Sequence, residues 1–155
     1  MPITEILQKN ADFYPTDVSL VEINPQLENQ SRLTWREYSL IESNPNEAYR
    51  KEITWGEFNK KANRFANLLL TRGVKKGDKV MLILKRHYQF WYIINALHKL
   101  GAVVILAPCQ LLEKDIAYRF EAAGVKAIVC TGDGDVAAQA EAAALKCPTV
   151  EHQIM

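Results

Sequence analysis

The apolar residues of this chain fall into two recurring patterns, one helical and one extended, and they alternate along most of its length. From Thr54, the residues Phe58, Ala62, Phe65, Ala66, Leu69 and Leu70 recur at helical spacing, and Gly73 follows. Val80-Met81-Leu82-Ile83-Leu84 is then a continuous apolar run, as expected of a strand buried on both faces. His87 to Leu100 is apolar nearly all round and predicts a helix packed between other elements, closed by Gly101. Val103 to Leu106 predicts a strand, Leu112 to Ala123 a helix with Ile116, Phe120 and Ala123 inward, and Ala127 to Cys130 another strand. Gly101 and Gly124 stand where a helix end calls for a left-handed residue, which glycine adopts without Cβ strain. Asp135 is placed to cap a last, alanine-rich helix over Val136 to Leu145. Short apolar strands alternating with helices predict a mostly parallel sheet covered on both faces, with right-handed crossovers.

The first third of the chain reads differently. Residues from about Thr4 to Phe13 have helical spacing ahead of Pro15, and Asp17 to Ile23 alternates weakly as a short strand. A polar connector, Asn24 to Arg32, leads to two β-favouring runs, Leu33 to Ile41 and Ala48 to Ile53. The turn residues Asn44-Pro45-Asn46 between them predict a β-hairpin. Thr54-Trp55-Gly56-Glu57 has the spacing of a capping box. The fold class is therefore α/β: an N-terminal helix and β-hairpin region (1–53), then βα repeats (54–155) forming a Rossmann-like, three-layer sheet. Thr34 to Tyr38 echoes Thr54 to Phe58, but one short pair without extended similarity is coincidence.

Composition narrows the function classes. With 155 residues, 48% hydrophobic and 24% charged, the chain has the composition of a soluble globular domain. A formal net charge of +1 gives no electrostatic case for nucleic acid. No apolar run is long enough to span a bilayer, and Met1 to Glu5 lacks the character of a signal peptide. Cys109, Cys130 and Cys147 have no CxxC spacing, so a reduced, cytoplasmic protein is expected. Cys147 to Met155 looks like the start of a further strand or loop, and the chain is expected to be a fragment.

Candidate chemistry is sparse. Gly132-Asp133-Gly134-Asp135 follows a strand, yet it matches neither GxGxxG nor a P-loop, and its carboxylates would repel phosphate. It reads as a turn and helix cap. His87, His98 and His152 lack metal-ligand spacing, and His98 suits the negative end of a helix dipole. Cys109 has no histidine pattern to support a nucleophilic role. Lys85-Arg86-His87 lies past a strand's carboxyl end, where open α/β sheets bind ligands, although so short a basic run reads first as a solvated loop. Trp35, Trp55 and Trp91 read as core and hairpin packing.

An ordered set of segments nevertheless carries a resemblance. Ala62 to Leu69 (ANRFANLL), Lys76 to Val80 (KGDKV), Gln89 to Trp91 (QFW) and Leu97 to Val103 (LHKLGAV) together resemble the start of an AMP-forming acyl-CoA synthetase. Gln110-Leu111, Asp115 to Phe120 and Lys126 to Val129 are most similar to the medium-chain branch, and the likeness covers about Tyr14 to Cys130. The resemblance implies a parent ligase that joins a small-molecule carboxylic acid to CoA with ATP and Mg²⁺, through an acyl-adenylate, in fatty acid metabolism. Other adenylate-forming parents remain open: a peptide-synthetase adenylation domain, or an acetyl or aryl ligase. A stand-alone, non-catalytic α/β binding module is the reading from a different class. The family's phosphate loop, adenine and Mg²⁺ segment, ribose-binding aspartate and catalytic lysine have no matching positions here. No catalytic, cofactor-binding or metal residue is therefore assigned, and neither ATP, Mg²⁺ nor CoA is expected on this piece alone. An exposed sheet edge is expected to favour self-association.

Overall fold

The computed structural model describes residues 1–23, 50–84, 88–132 and 135–154. The chain divides into two compact units, Met1–Lys60 and Lys61–Met155.

In the first unit, helix α1 (Ile3–Phe13) is followed by strand β1 (Val18–Ile23) and strand β2 (Arg50–Thr54). These strands pair antiparallel, with Val21 opposite Glu52 and a one-residue bulge between Val18 and Leu20. The bulge leaves Ser19 as the extra residue, and its hydroxyl donates to the Ile53 carbonyl at 2.8 Å. The predicted hairpin arm over 33–41 and its turn lie outside the described residues, as does Trp35.

Helix α2 (Trp55–Thr71) begins at the predicted capping box. The Thr54 N–H donates to Glu57 Oε2 and the Glu57 N–H to Thr54 Oγ1, both at 3.3 Å. Gly56 donates its N–H to the Pro15 carbonyl at 3.0 Å, and a Cβ built on it would stand 2.9 Å from that oxygen. No larger residue fits there unless the backbone shifts.

The second unit is a four-stranded parallel sheet of β3 (Lys79–Ile83), β4 (Val103–Leu106), β5 (Ala127–Cys130) and β6 (His152–Ile154). Their order across the sheet is β4-β3-β5-β6. Helices α3 (Gln89–Leu100), α4 (Glu113–Ala123) and α5 (Val136–Ala144) make the crossovers. The continuous apolar runs are explained by two-sided burial. Val80 and Leu82 share one core cluster with Leu69, Ile93, Leu97 and Val129. Met81 and Ile83 share the other with Ile116, Phe120, Ile128 and Cys130. Alternate side chains of one strand thus feed opposite cores, α2 and α3 covering one face and α4 and α5 the other. The three-layer, mostly parallel architecture is the one the sequence predicts.

Gly73, Gly101 and Gly124 end their helices with φ of +82°, +70° and +63°. At Gly101 and Gly124 the backbone bonds close the last turn, Ala102 N–H to Leu97 and Val125 N–H to Phe120.

At the amino ends of the strands, Lys126 gathers the chain. Its ammonium donates to Asp78 at 3.1 Å and to the Gly73 carbonyl at 3.3 Å, and stands 3.7 Å from Glu151. Asp78 accepts in addition the Lys75 N–H at 2.7 Å.

Three expectations are corrected. Helix α3 buries one face, Ile93, Ala96 and Leu97, rather than being enclosed all round, and Trp91 is 52% exposed. Trp91 is therefore not a core residue; it meets Phe90 edge-on at 5.3 Å. Leu70 lies 53% exposed, off the buried face that Ala62, Ala66 and Leu69 share. In both helices the apolar arc is wider than the surface available to cover it.

Candidate functional site at the carboxyl rim of the sheet

In strand order β4-β3-β5-β6, the chain leaves β3 toward one edge and returns across it to β5 on the other side. The helices after β3 and β5 lie on opposite faces, so the carboxyl ends of these two strands form the topological switch point at which open α/β sheets bind ligands. The described residues at this switch point are Leu84, Tyr88 and Gln89 on the β3 side and Thr131 and Gly132 on the β5 side. Thr131 is buried and donates its backbone N–H to the Ile83 carbonyl at 3.0 Å, holding the two strand ends together. The basic run Lys85-Arg86-His87 falls here in the chain, and with Asp133 and Gly134 it lies outside the described residues.

A hollow opens between the loop after β4 and the start of α5. It measures about 280 Å³ and is lined by Cys109, Gln110, Leu111, Leu112, Asp135, Val136 and Gln139. Its polar chemistry is one carboxylate, two carboxamides and a thiol. Gln139 is already engaged: its Oε1 accepts the Glu113 N–H at 2.7 Å. That bond satisfies an otherwise orphaned donor in the first turn of α4, whose own N-cap residue Leu112 has no side-chain acceptor. Glu113 also pairs with Lys146 just past α5. The hollow is therefore the mouth of a seam that locks α4 to α5.

The residues weighed from sequence disperse. Asp135 stands at the N-cap of α5, but its side chain makes no capping hydrogen bond. With φ −85° and ψ −1° it already has helical backbone, which carries its carboxylate away from the N–H groups of the first turn. His98 is exposed in the last turn of α3, where its backbone carbonyl accepts the Gly101 N–H. His152 lies on β6, 3.7 Å from Glu151. Cys109 is half-buried in the hollow; Cys130 and Cys147 are buried, and all three thiols are free. Burial pushes the Cys130 thiol up to about 11. What sequence reasoning missed is the pairing of Gln139 with Glu113. Nothing local signals a contact between residues 26 apart on separate helices.

The described residues that line the hollow offer a carboxylate, carboxamides and a thiol, where a triphosphate needs cations and converging N–H donors. Among the described residues, no three His, Cys, Asp or Glu side chains come together to hold a metal ion. None of the described helices is long and apolar enough to cross a membrane.

Comparison with known proteins supplies what the rim does not. Over 97 residues the chain is 36% identical to acyl-coenzyme A synthetase ACSM5, mitochondrial, of Rattus norvegicus, covering 62% of this chain and 16% of that protein. It is 32% identical over 95 residues to the corresponding ACSM3 of Mus musculus, covering 61% and 16%. The chain thus spans about 16% of the length of the curated relatives it matches. Among solved structures, the fold is similar to coronafacic acid ligase from Pectobacterium brasiliense, with TM-score 0.75, 15% identity, and 99% of this chain against 25% of that one. The inhibitor-bound N-terminal domain of FACL13 from Mycobacterium tuberculosis is likewise similar, with TM-score 0.71, 22% identity, and 98% of this chain against 32% of that one. The family model for AMP-binding enzymes matches residues 27–155, and the chain belongs to that family.

Proposed function

We propose that this chain is the scaffold part of a longer AMP-forming acyl-CoA ligase. The parent condenses a carboxylic acid with CoA at the expense of ATP, releasing AMP and pyrophosphate through an acyl-adenylate, with Mg²⁺ on the nucleotide. Fatty acid metabolism and a reducing, cytoplasmic compartment complete the reading; the three free thiols fit such a compartment. What carries it is the family match across residues 27–155, joined to relatives that are named acyl-coenzyme A synthetases. The reaction is assigned to the parent because the chain spans about 16% of the length of the relatives that bear that name. In this reading the present residues contribute a rigid parallel sheet, and the chemistry is carried by other parts of the parent.

Two measurements test the proposal. The full-length parent, given ATP, CoA and a panel of carboxylic acids, should form AMP and the acyl-CoA together, followed by mass spectrometry. Without CoA, hydroxylamine should trap the activated acyl group. AMP formation that does not depend on any carboxylate would refute the ligase. Isothermal titration of the present chain with Mg-ATP should show no specific heat, and micromolar binding would place a nucleotide site among these residues after all.

A further inference from the structure

The formal net charge of +1 conceals a separation of charge within the chain. Between Phe58 and Leu112 the one carboxylate is Asp78, set among lysines and arginines. That carboxylate is already taken, because the Lys126 ammonium, from outside the stretch, stands 3.1 Å from it. On the other face of the sheet the balance is reversed. Helices α4 and α5 carry Glu113, Asp115, Glu121 and Glu141 against Lys114 and Arg119.

The cations are also ordered on the surface. Lys61, Arg64, Leu68 and Arg72 recur at helical spacing, which puts them along one side of α2. The Arg72 N–H donates to the Leu68 carbonyl at 3.1 Å, so the helical line runs on through Arg72. Ala62, Ala66 and Leu69, on the side turned to the core, are buried. Arg64, Arg72 and Lys76 are exposed, and none of the three pairs with a carboxylate among the described residues. Two large apolar side chains stand in this basic field without serving the core: Leu68 is 39% exposed, and Trp91 is 52% exposed on α3. The two helices are neighbours, with the Phe65 and Tyr92 rings 6.2 Å apart.

We propose that the outer side of α2 and α3 in the second unit is a docking surface for an anionic lipid bilayer. Arg64, Arg72 and Lys76 supply the attraction to the headgroups, and Leu68 and Trp91 enter the headgroup layer. Two observations favour lipid over an acidic protein or a nucleic acid. Long cationic stems without fixed partners suit mobile headgroups, whereas a protein or nucleic-acid site holds its arginines in defined hydrogen-bond geometry. An exposed leucine and tryptophan among the cations are the mixture found where helices lie at the water–lipid boundary. None of the described helices is long and apolar enough to cross a bilayer, so the contact is a surface one. The inference stands on the charge pattern and is independent of the ligase reading.

The test is sedimentation of the full-length protein with vesicles, one set of phosphatidylcholine alone and one that also contains phosphatidylserine. Binding to the phosphatidylserine vesicles is expected, weakening as salt rises, with none to phosphatidylcholine alone. Each cation removed should lower the partition coefficient about fivefold, so Arg64→Gln combined with Arg72→Gln should lose about twenty-fivefold. Arg119→Gln, exposed on α4 across the sheet, should bind as the wild type does. Circular dichroism should be unchanged in every variant, and if the double variant misfolds, the two single variants decide. A wild-type protein that stays in the supernatant overturns the proposal, as does equal binding to the two vesicle types. So does a double variant that binds as tightly as Arg119→Gln. Binding to a polyuridine RNA without binding to vesicles also overturns it and gives this face to nucleic acid.

Discussion

Phe120 offers a direct test of how this fold is held. It is 0% exposed on α4, packed in a core that includes Met81, Ile116, Val125 and Ile128. Two positions earlier on the same helix, Tyr118 is 72% exposed. Replacing Phe120 with Ala removes the ring and leaves a cavity between α4 and the sheet, at an expected cost of about 3–5 kcal/mol. A domain of this size has a total stability on the order of 5–15 kcal/mol, so the loss is a large fraction of the whole. The thermal midpoint should fall by more than roughly 12 °C, taking about 4 °C per kcal/mol as the lower bound for a small domain. Tyr118→Ala shortens an aromatic side chain on the same helix without touching the core, and should stay within about 0.5 kcal/mol of wild type. Urea unfolding followed by circular dichroism measures both, and equal denaturant slopes would show that the comparison concerns stability alone. The packing argument fails if Phe120→Ala costs less than about 1 kcal/mol, well under the range for a buried ring, or if the two variants cost the same.

Three further outcomes are expected. Gly101 has φ +70°, and a Cβ there would approach Lys76 Cγ to 3.0 Å, so Gly101→Ala should lose about 1–2 kcal/mol in the same unfolding assay; an unchanged midpoint would refute the left-handed cap. Burial pulls the Asp78 carboxyl upward, but the Lys75 N–H and the Lys126 ammonium outweigh it and hold it below its ordinary 3.8. Its contribution is therefore present above pH 3.8 and lost as pH falls through the lower folded value. Asp78→Asn should flatten the acid limb of a stability profile, and an identical limb in both proteins would count against the clamp. Finally, a thiol reagent at pH 8 should modify Cys109 in the native protein and reach Cys130 only after unfolding, because Cys130 is buried and its thiol is pushed up to about 11. Equal labelling rates for the two, resolved by peptide mass spectrometry, would contradict the burial.

Much of this fold is legible because it is specified locally. The β4 and β5 strands coincide with the apolar runs Val103–Leu106 and Ala127–Cys130, and Gly101 and Gly124 stand where their helices end. The capping box at Thr54 and Glu57 forms as its spacing requires. What could not be read is nonlocal. Strand order depends on which faces the crossovers choose, and β1 pairs with β2 across a long intervening segment. Exposure of Trp91 and Leu70 is equally invisible, because helical spacing tells which residues share a face but not how much of that face is covered. Asp135 had the right residue type in the right place and still does not cap, since its backbone is already helical. The hollow by Cys109 was beyond sequence because its walls come from two loops separated by a strand and a helix.

The bond from the Glu113 amide to Gln139 has an implication for anyone recombining this family. Helix α5 borrows nothing from its own cap residue but lends a carboxamide oxygen to its neighbour, and Lys146 beyond its end grips the same glutamate. A segment 136–146 transplanted from a relative with alanine at the position of Gln139 would itself be sound, yet it would strip the start of α4 of its acceptor. The two helices therefore form one inheritance unit, and chimeras cut between them should express worse than chimeras cut at Gly101.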